Sequence, residues 1–74
     1  MCEKQKIHFT DSAGKNLFSI PDGSFLRLFY EDGEASCALC RRLDDTHAEI
    51  DGVTYSIREF ARRMERNHIN YVPA

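Results

Sequence analysis

Two cysteines stand three residues apart in Cys37-Ala38-Leu39-Cys40. In zinc sites and thioredoxin-like sites this spacing works because both sulfurs converge. Here the pair falls inside a strand-like run, where residues three apart point to opposite faces. No second C-x-x-C follows, and a zinc site would have to recruit Cys2, His8, His47 or His68 at no recognisable spacing. The expected reading is two buried cysteines acting as small apolar residues. No cofactor is expected.

The second feature is an arginine row. Arg58, Arg62 and Arg66 recur every four residues, with Arg63 beside them, and the segment that holds them contains no lysine. Such a row is either a solvated helix face or a docking surface for an acidic partner or a phosphate backbone. Arginine favours recognition over mere solvation, because the guanidinium forms directional paired bonds. Arg41 and Arg42 are its expected neighbours. His8, His47 and His68 have no nucleophile near them in sequence, and no Ser-His-Asp pattern is present. Asp44-Asp45 reads as a polar connection; as an acid–base pair it would need a cleft. The glycines are isolated turn residues, so no phosphate-cradling loop forms.

These side chains must be placed by short elements. Lys6 to Thr10 alternates and reads as a strand. Asp11-Ser12-Ala13-Gly14 is turn material, Leu17 to Ile20 a second short strand, and Pro21-Asp22-Gly23 another turn. Ser24–Tyr30 and Ala35–Leu43 flank Glu31-Asp32-Gly33-Glu34, a hairpin signal. A two-residue loop at Asp32-Gly33 would pair Leu28 with Cys37 and Leu26 with Leu39 on one face. Phe25, Phe29, Ala38 and Cys40 would take the other. Both faces are then partly apolar and both need cover, which a strongly twisted or barrel-like sheet with a packed helix supplies. His47–Ile50 and Val53–Tyr55 flank Asp51-Gly52 as a second hairpin. Its register puts Ala48, Ile50, Val53 and Tyr55 on the core side, and His47, Glu49 and Thr54 toward water.

Ser56-Ile57-Arg58-Glu59 is a capping box that starts a helix. Ile57, Phe60, Ala61 and Met64 form its apolar stripe, Glu59–Arg63 is an i,i+4 pair, and Asn67 or His68 ends it. Asn70–Pro73 is a tail suited to docking as a short edge segment. The reading is thus one α+β domain over residues 1–74. Strands fall within 5–55, four to six of them in a small twisted antiparallel sheet. One helix over about 57–67 packs on it, and 68–74 form a tail.

Composition sets limits. A chain of 74 residues with 42% hydrophobic and 30% charged residues folds as a globular domain. At this length only roughly 60–65% of the unfolded surface is buried, which disfavours a deep substrate cleft. No apolar run approaches the ~20 residues of a membrane span. The charged Met1-Cys2-Glu3-Lys4-Gln5-Lys6 leads into no signal segment, and three cysteines make a poor disulfide framework. Cytoplasmic location is the expectation. Net charge is −2, with seven acidic side chains in residues 31–51, which argues against a protein built mainly to coat nucleic acid.

Pro21-Asp22-Gly23-Ser24, the run Cys40-Arg41-Arg42-Leu43-Asp44-Asp45-Thr46-His47, and Ile57-Arg58-Glu59-Phe60-Ala61-Arg62-Arg63-Met64-Glu65-Arg66-Asn67 together resemble a small uncharacterised domain. That domain belongs to conjugative transposons and other mobile elements of Gram-positive gut bacteria, alone or as a module of large multi-domain proteins. The resemblance covers roughly residues 20–73 and departs from the pattern at Arg42, where an aromatic is expected. It implies a mobile-element context and an accessory role, and brings no catalytic residues.

The sequence therefore points to a non-enzymatic accessory or protein-interaction module. Arg41, Arg42, Arg58, Arg62, Arg63 and Arg66 are its candidate contact residues, for a protein partner with an acidic surface. The alternative is a nucleic-acid-binding accessory or regulator using the same helix face.

Overall fold

The computed structural model describes residues 5–74. Seven strands and one helix follow in order: β1 (Lys6–Thr10), β2 (Asn16–Pro21), β3 (Phe25–Phe29), β4 (Ala35–Arg42), β5 (His47–Ile50), β6 (Val53–Ser56), α1 (Ile57–Arg66) and β7 (Asn70–Pro73). All pairings are antiparallel. β1 and β2 form a ribbon, and the other strands form a five-stranded sheet in the order β6-β5-β4-β3-β7. The fold is the expected α+β type. The sheet is open rather than closed into a barrel, and the tail adds a strand that the range 5–55 did not include.

Two Asp-Gly turns behave differently. At Asp51-Gly52 both residues take positive φ, 55° and 82°. This mirror-image turn matches strand twist, so the loop is two residues long and Ile50 pairs with Val53, as the sequence predicts. At Asp32-Gly33 only Gly33 has positive φ, 91°. The Gly33 amide donates to the Tyr30 carbonyl at 3.1 Å and the Tyr30 amide to the Glu34 carbonyl at 2.8 Å. The loop is therefore one residue longer than expected, a turn closed by a left-handed glycine. Leu28 pairs with Ser36 and Leu26 with Ala38, not with Cys37 and Leu39. A one-residue slip exchanges the faces of β4. Leu26, Leu28, Ala38 and Cys40 become the buried set. Phe25, Phe29, Cys37 and Leu39 share the outer side.

The ribbon and helix cover the inner face. α1 packs chiefly against β1, with β6 and β7 beside it. Ile57, Phe60, Ala61 and Met64 are buried, which is the stripe read from the sequence. Aromatic rings join the layers: Phe9 lies 5.3 Å from Phe18 and 5.9 Å from Phe60, and Phe60 lies 5.2 Å from Tyr71 on β7. Such tilted and edge-on pairs add to the burial of the rings themselves. Val53 departs from expectation. It sits on the sheet edge and is 51% exposed, because no described strand lies beyond β6 to cover it.

The Ser56 hydroxyl accepts the Glu59 amide at 3.1 Å, capping the helix. The reciprocal half of the capping box is not made among the described residues, since the Glu59 carboxylate turns to Arg62 at 3.6 Å. At the other end His68, not Asn67, takes the left-handed conformation, with φ 56°. The His68 amide donates to Glu65 and the Ile69 amide to Met64. These two bonds satisfy helix carbonyls and turn the chain into β7.

Candidate functional site

The six arginines do not form one surface. Arg42, at the inner end of β4, is a clamp. Its Nη1 donates to Gln5 Oε1 at 2.7 Å and its Nη2 to Asp45, while its amide donates to Asp22 Oδ1 at 2.7 Å. Its side chain is only 19% exposed. The guanidinium ties Gln5, just before β1, to the β4–β5 connection, and the backbone amide adds the β2–β3 turn, so Arg42 has a structural role. Arg41 projects from the opposite face of the sheet, across from Glu49.

The helix arginines divide as well. Arg58 Nη2 donates to the Ser12 carbonyl at 3.1 Å. Two turns further along the helix, Glu65 accepts the Ser12 amide and hydroxyl at 3.0 and 2.9 Å. Arg58 and Glu65, seven residues apart on one flank, thus pin the β1–β2 loop to α1. Arg63 lies over the Tyr55 ring, 6.0 Å from its centre, rather than pairing with Glu59 as expected. Arg62 and Arg66 remain on the outward side, with Glu59 drawn to Arg62. All four helix arginines are exposed, as read from the sequence, but Arg58 and Arg63 each also engage a neighbour within the fold and a carboxylate stands beside Arg62.

The cysteines stand on opposite faces, as strand geometry requires. Cys40 is buried and its thiol is pushed up to about 11, first by that burial. Cys37 is exposed, contrary to the expectation that both are buried. Cys2 lies outside the described residues. Among the described residues no three His, Cys, Asp or Glu side chains gather as a metal site.

Strand pairing creates one contact the sequence does not announce. His8 and Ser19 are cross-strand partners, with Nδ1 2.6 Å from the hydroxyl. The pair is exposed, and no carboxylate hydrogen-bonds to the ring among the described residues. Asp44 caps its own turn: Oδ1 accepts the Thr46 amide at 2.8 Å and the His47 amide at 2.8 Å. These bonds, the Thr46 amide foremost, hold its carboxyl down at about 2. Asp44 and Asp45 serve the turn and the Arg42 clamp, which matches the polar connection read from the sequence.

The outer face of the five-stranded sheet is left uncovered among the described residues. Phe25 and Phe29 are 50% and 40% exposed, and Val72 on β7 is 43% exposed. Leu39 lies across from Phe25, and Cys37 and Val72 flank Arg27 on either side. Ser24, Phe25, Cys37 and Ala74 line a shallow depression at one end. Arg27 makes no ion pair among the described residues. The sequence held the signal for this face in the alternation of Phe25, Arg27 and Phe29, but the slipped register concealed which residues would join them.

No described helix is long and apolar enough to cross a membrane. Comparison with protein-family models, curated proteins and solved structures gives no match.

Proposed function

We propose that this chain is a non-enzymatic protein-interaction module, an accessory factor of a mobile element, that engages its partner through the outer face of the five-stranded sheet. The observation that carries this reading is the apolar surface left bare there. Half of a Phe side chain is roughly 100 Å². Phe25, Phe29 and Val72 together then expose roughly 250 Å², close to the scale of the largest apolar patch on a typical monomer, which is often functional. The mobile-element setting rests on the resemblance of residues 20–73. The helix face supports the reading less well, because Arg58 and Arg63 are engaged within the fold and Glu59 sits beside Arg62. Nucleic acid is disfavoured at the sheet face too: Glu31, Asp32 and Glu34 form the hairpin tip next to Phe29, and Glu49 faces Arg41.

Co-purification separates the two faces. A protein partner held by the wild type is expected to be lost with Phe25→Ser/Phe29→Ser and kept with Arg62→Glu/Arg66→Glu. Equal retention by both variants, each shown to be folded by amide NMR, rejects the sheet face.

A further inference from the structure

Arg27 sits at the centre of the bare face. Its neighbours along β3 are Phe25 and Phe29, and its cross-strand neighbours are Cys37 and Val72. Among the described residues no carboxylate pairs with it. Any partner that covers the two phenyl rings also covers this guanidinium. A buried charge left unpaired is strongly unfavourable, so the covering surface must bring an anion to that point.

Area and charge argue against a symmetric dimer as the occupant. A standard interface buries about 800 Å² per partner, and homodimer interfaces are about 65% apolar, which requires roughly 500 Å² of apolar surface. Phe25, Phe29 and Val72 supply roughly 250 Å² of it. A twofold axis through its centre would also bring two Arg27 side chains together. The remaining fit is a narrow, extended segment.

Resting on the interaction-module reading, we propose that the outer sheet face binds an extended acidic-apolar segment of another protein, with an Asp or Glu carboxylate on Arg27 and apolar side chains two residues to either side over Phe25 and Phe29. Phe25 and Phe29 are four residues apart, roughly 13 Å along the strand. Residues i and i+4 of an extended segment share one side at that same spacing, and residue i+2 points with them to meet the guanidinium. Arginine suits this role because its planar fork takes a carboxylate by two parallel bonds.

Panning a random-peptide phage library on the full chain tests this. Enriched sequences should carry an acidic residue flanked at ±2 by apolar ones. A synthetic peptide of the enriched sequence should shift amide resonances of Phe25–Phe29, Cys37 and Val72. Arg27→Gln should weaken that peptide at least tenfold, and panning on Arg27→Glu should enrich Lys or Arg at the central position. Peptides that bind this face indifferently to the Arg27 charge overturn the proposal but leave the interaction module standing. No enrichment, or shifts confined to α1, overturns both. Concentration-dependent shifts of the same amides without peptide identify a second copy as the occupant, and shifts with oligo(dT) identify nucleic acid; either result overturns the acidic-apolar assignment.

Discussion

The inner and outer faces of the five-stranded sheet differ less in composition than in cover. The inner face carries Leu26, Leu28, Ala38, Cys40, Ala48 and Ile50, each 9% exposed or less. The outer face carries Phe25, Phe29, Leu39 and Val72, with Arg27 among them. Its aromatic side chains are larger than anything the inner face of β3 and β4 offers. The helix and the β1–β2 ribbon nevertheless pack on the inner side, where Phe9, Phe18, Phe60 and Tyr71 supply the aromatic bulk instead. Apolar content alone does not decide which side becomes core. The decision lies with the element that docks, and with the loops that carry it there.

This contrast can be broken by experiment. Phe9, fully buried where ribbon, helix and β7 meet, has the largest expected effect. Phe9→Ala should cost about 3–5 kcal/mol in urea unfolding. A domain of this length has roughly 4–11 kcal/mol in total, so most of its stability would go. A loss under about 1 kcal/mol would mean that the inner face is not the core.

A smaller effect belongs to the connection beside the sheet. The Asp44 carboxyl is lowered from 3.8 to about 2 in the folded chain. Its contribution is therefore fully present above pH 3.8 and is lost as pH falls through about 2. Urea midpoints should drop over that window, and Asp44→Asn should flatten part of the drop. An identical pH profile in the variant would show that the turn bonds around Asp44 do not form in solution.

The smallest effect is expected on the bare face. Phe25→Leu should change stability by no more than about 1 kcal/mol, because the site is half open to solvent, an apolar side chain is kept and no closed cavity is left. A loss of 2 kcal/mol or more would show that the outer face is covered in the isolated chain, and the contrast between the two faces would disappear.

Particular residues show where sequence reasoning reached and where it stopped. Ser56, the stripe from Ile57 to Met64 and the reversal at Asp51-Gly52 depend on interactions within a few residues, and each forms as read. The Asp32-Gly33 turn failed because the same dipeptide serves two loop lengths. In one both residues take positive φ; in the other only the glycine does. Arg42, Arg58 and Arg63 looked free because their partners Gln5, Ser12 and Tyr55 are distant in sequence or lie on another element. Tertiary pairing gave them partners within the fold, with Arg58 and Arg63 still exposed, and it set Arg27 on the bare face, which spacing alone did not single out.

By itself the sequence determined the α+β class, the places of the turns, the helix with its cap and buried stripe, and the apolar character of both sides of the central hairpin. Only the tertiary structure decided which side faces solvent. Alternation places side chains on two faces but says nothing about which face is covered when both are apolar. That choice followed from one added residue in the Glu31–Gly33 loop and from where the ribbon and helix came to rest.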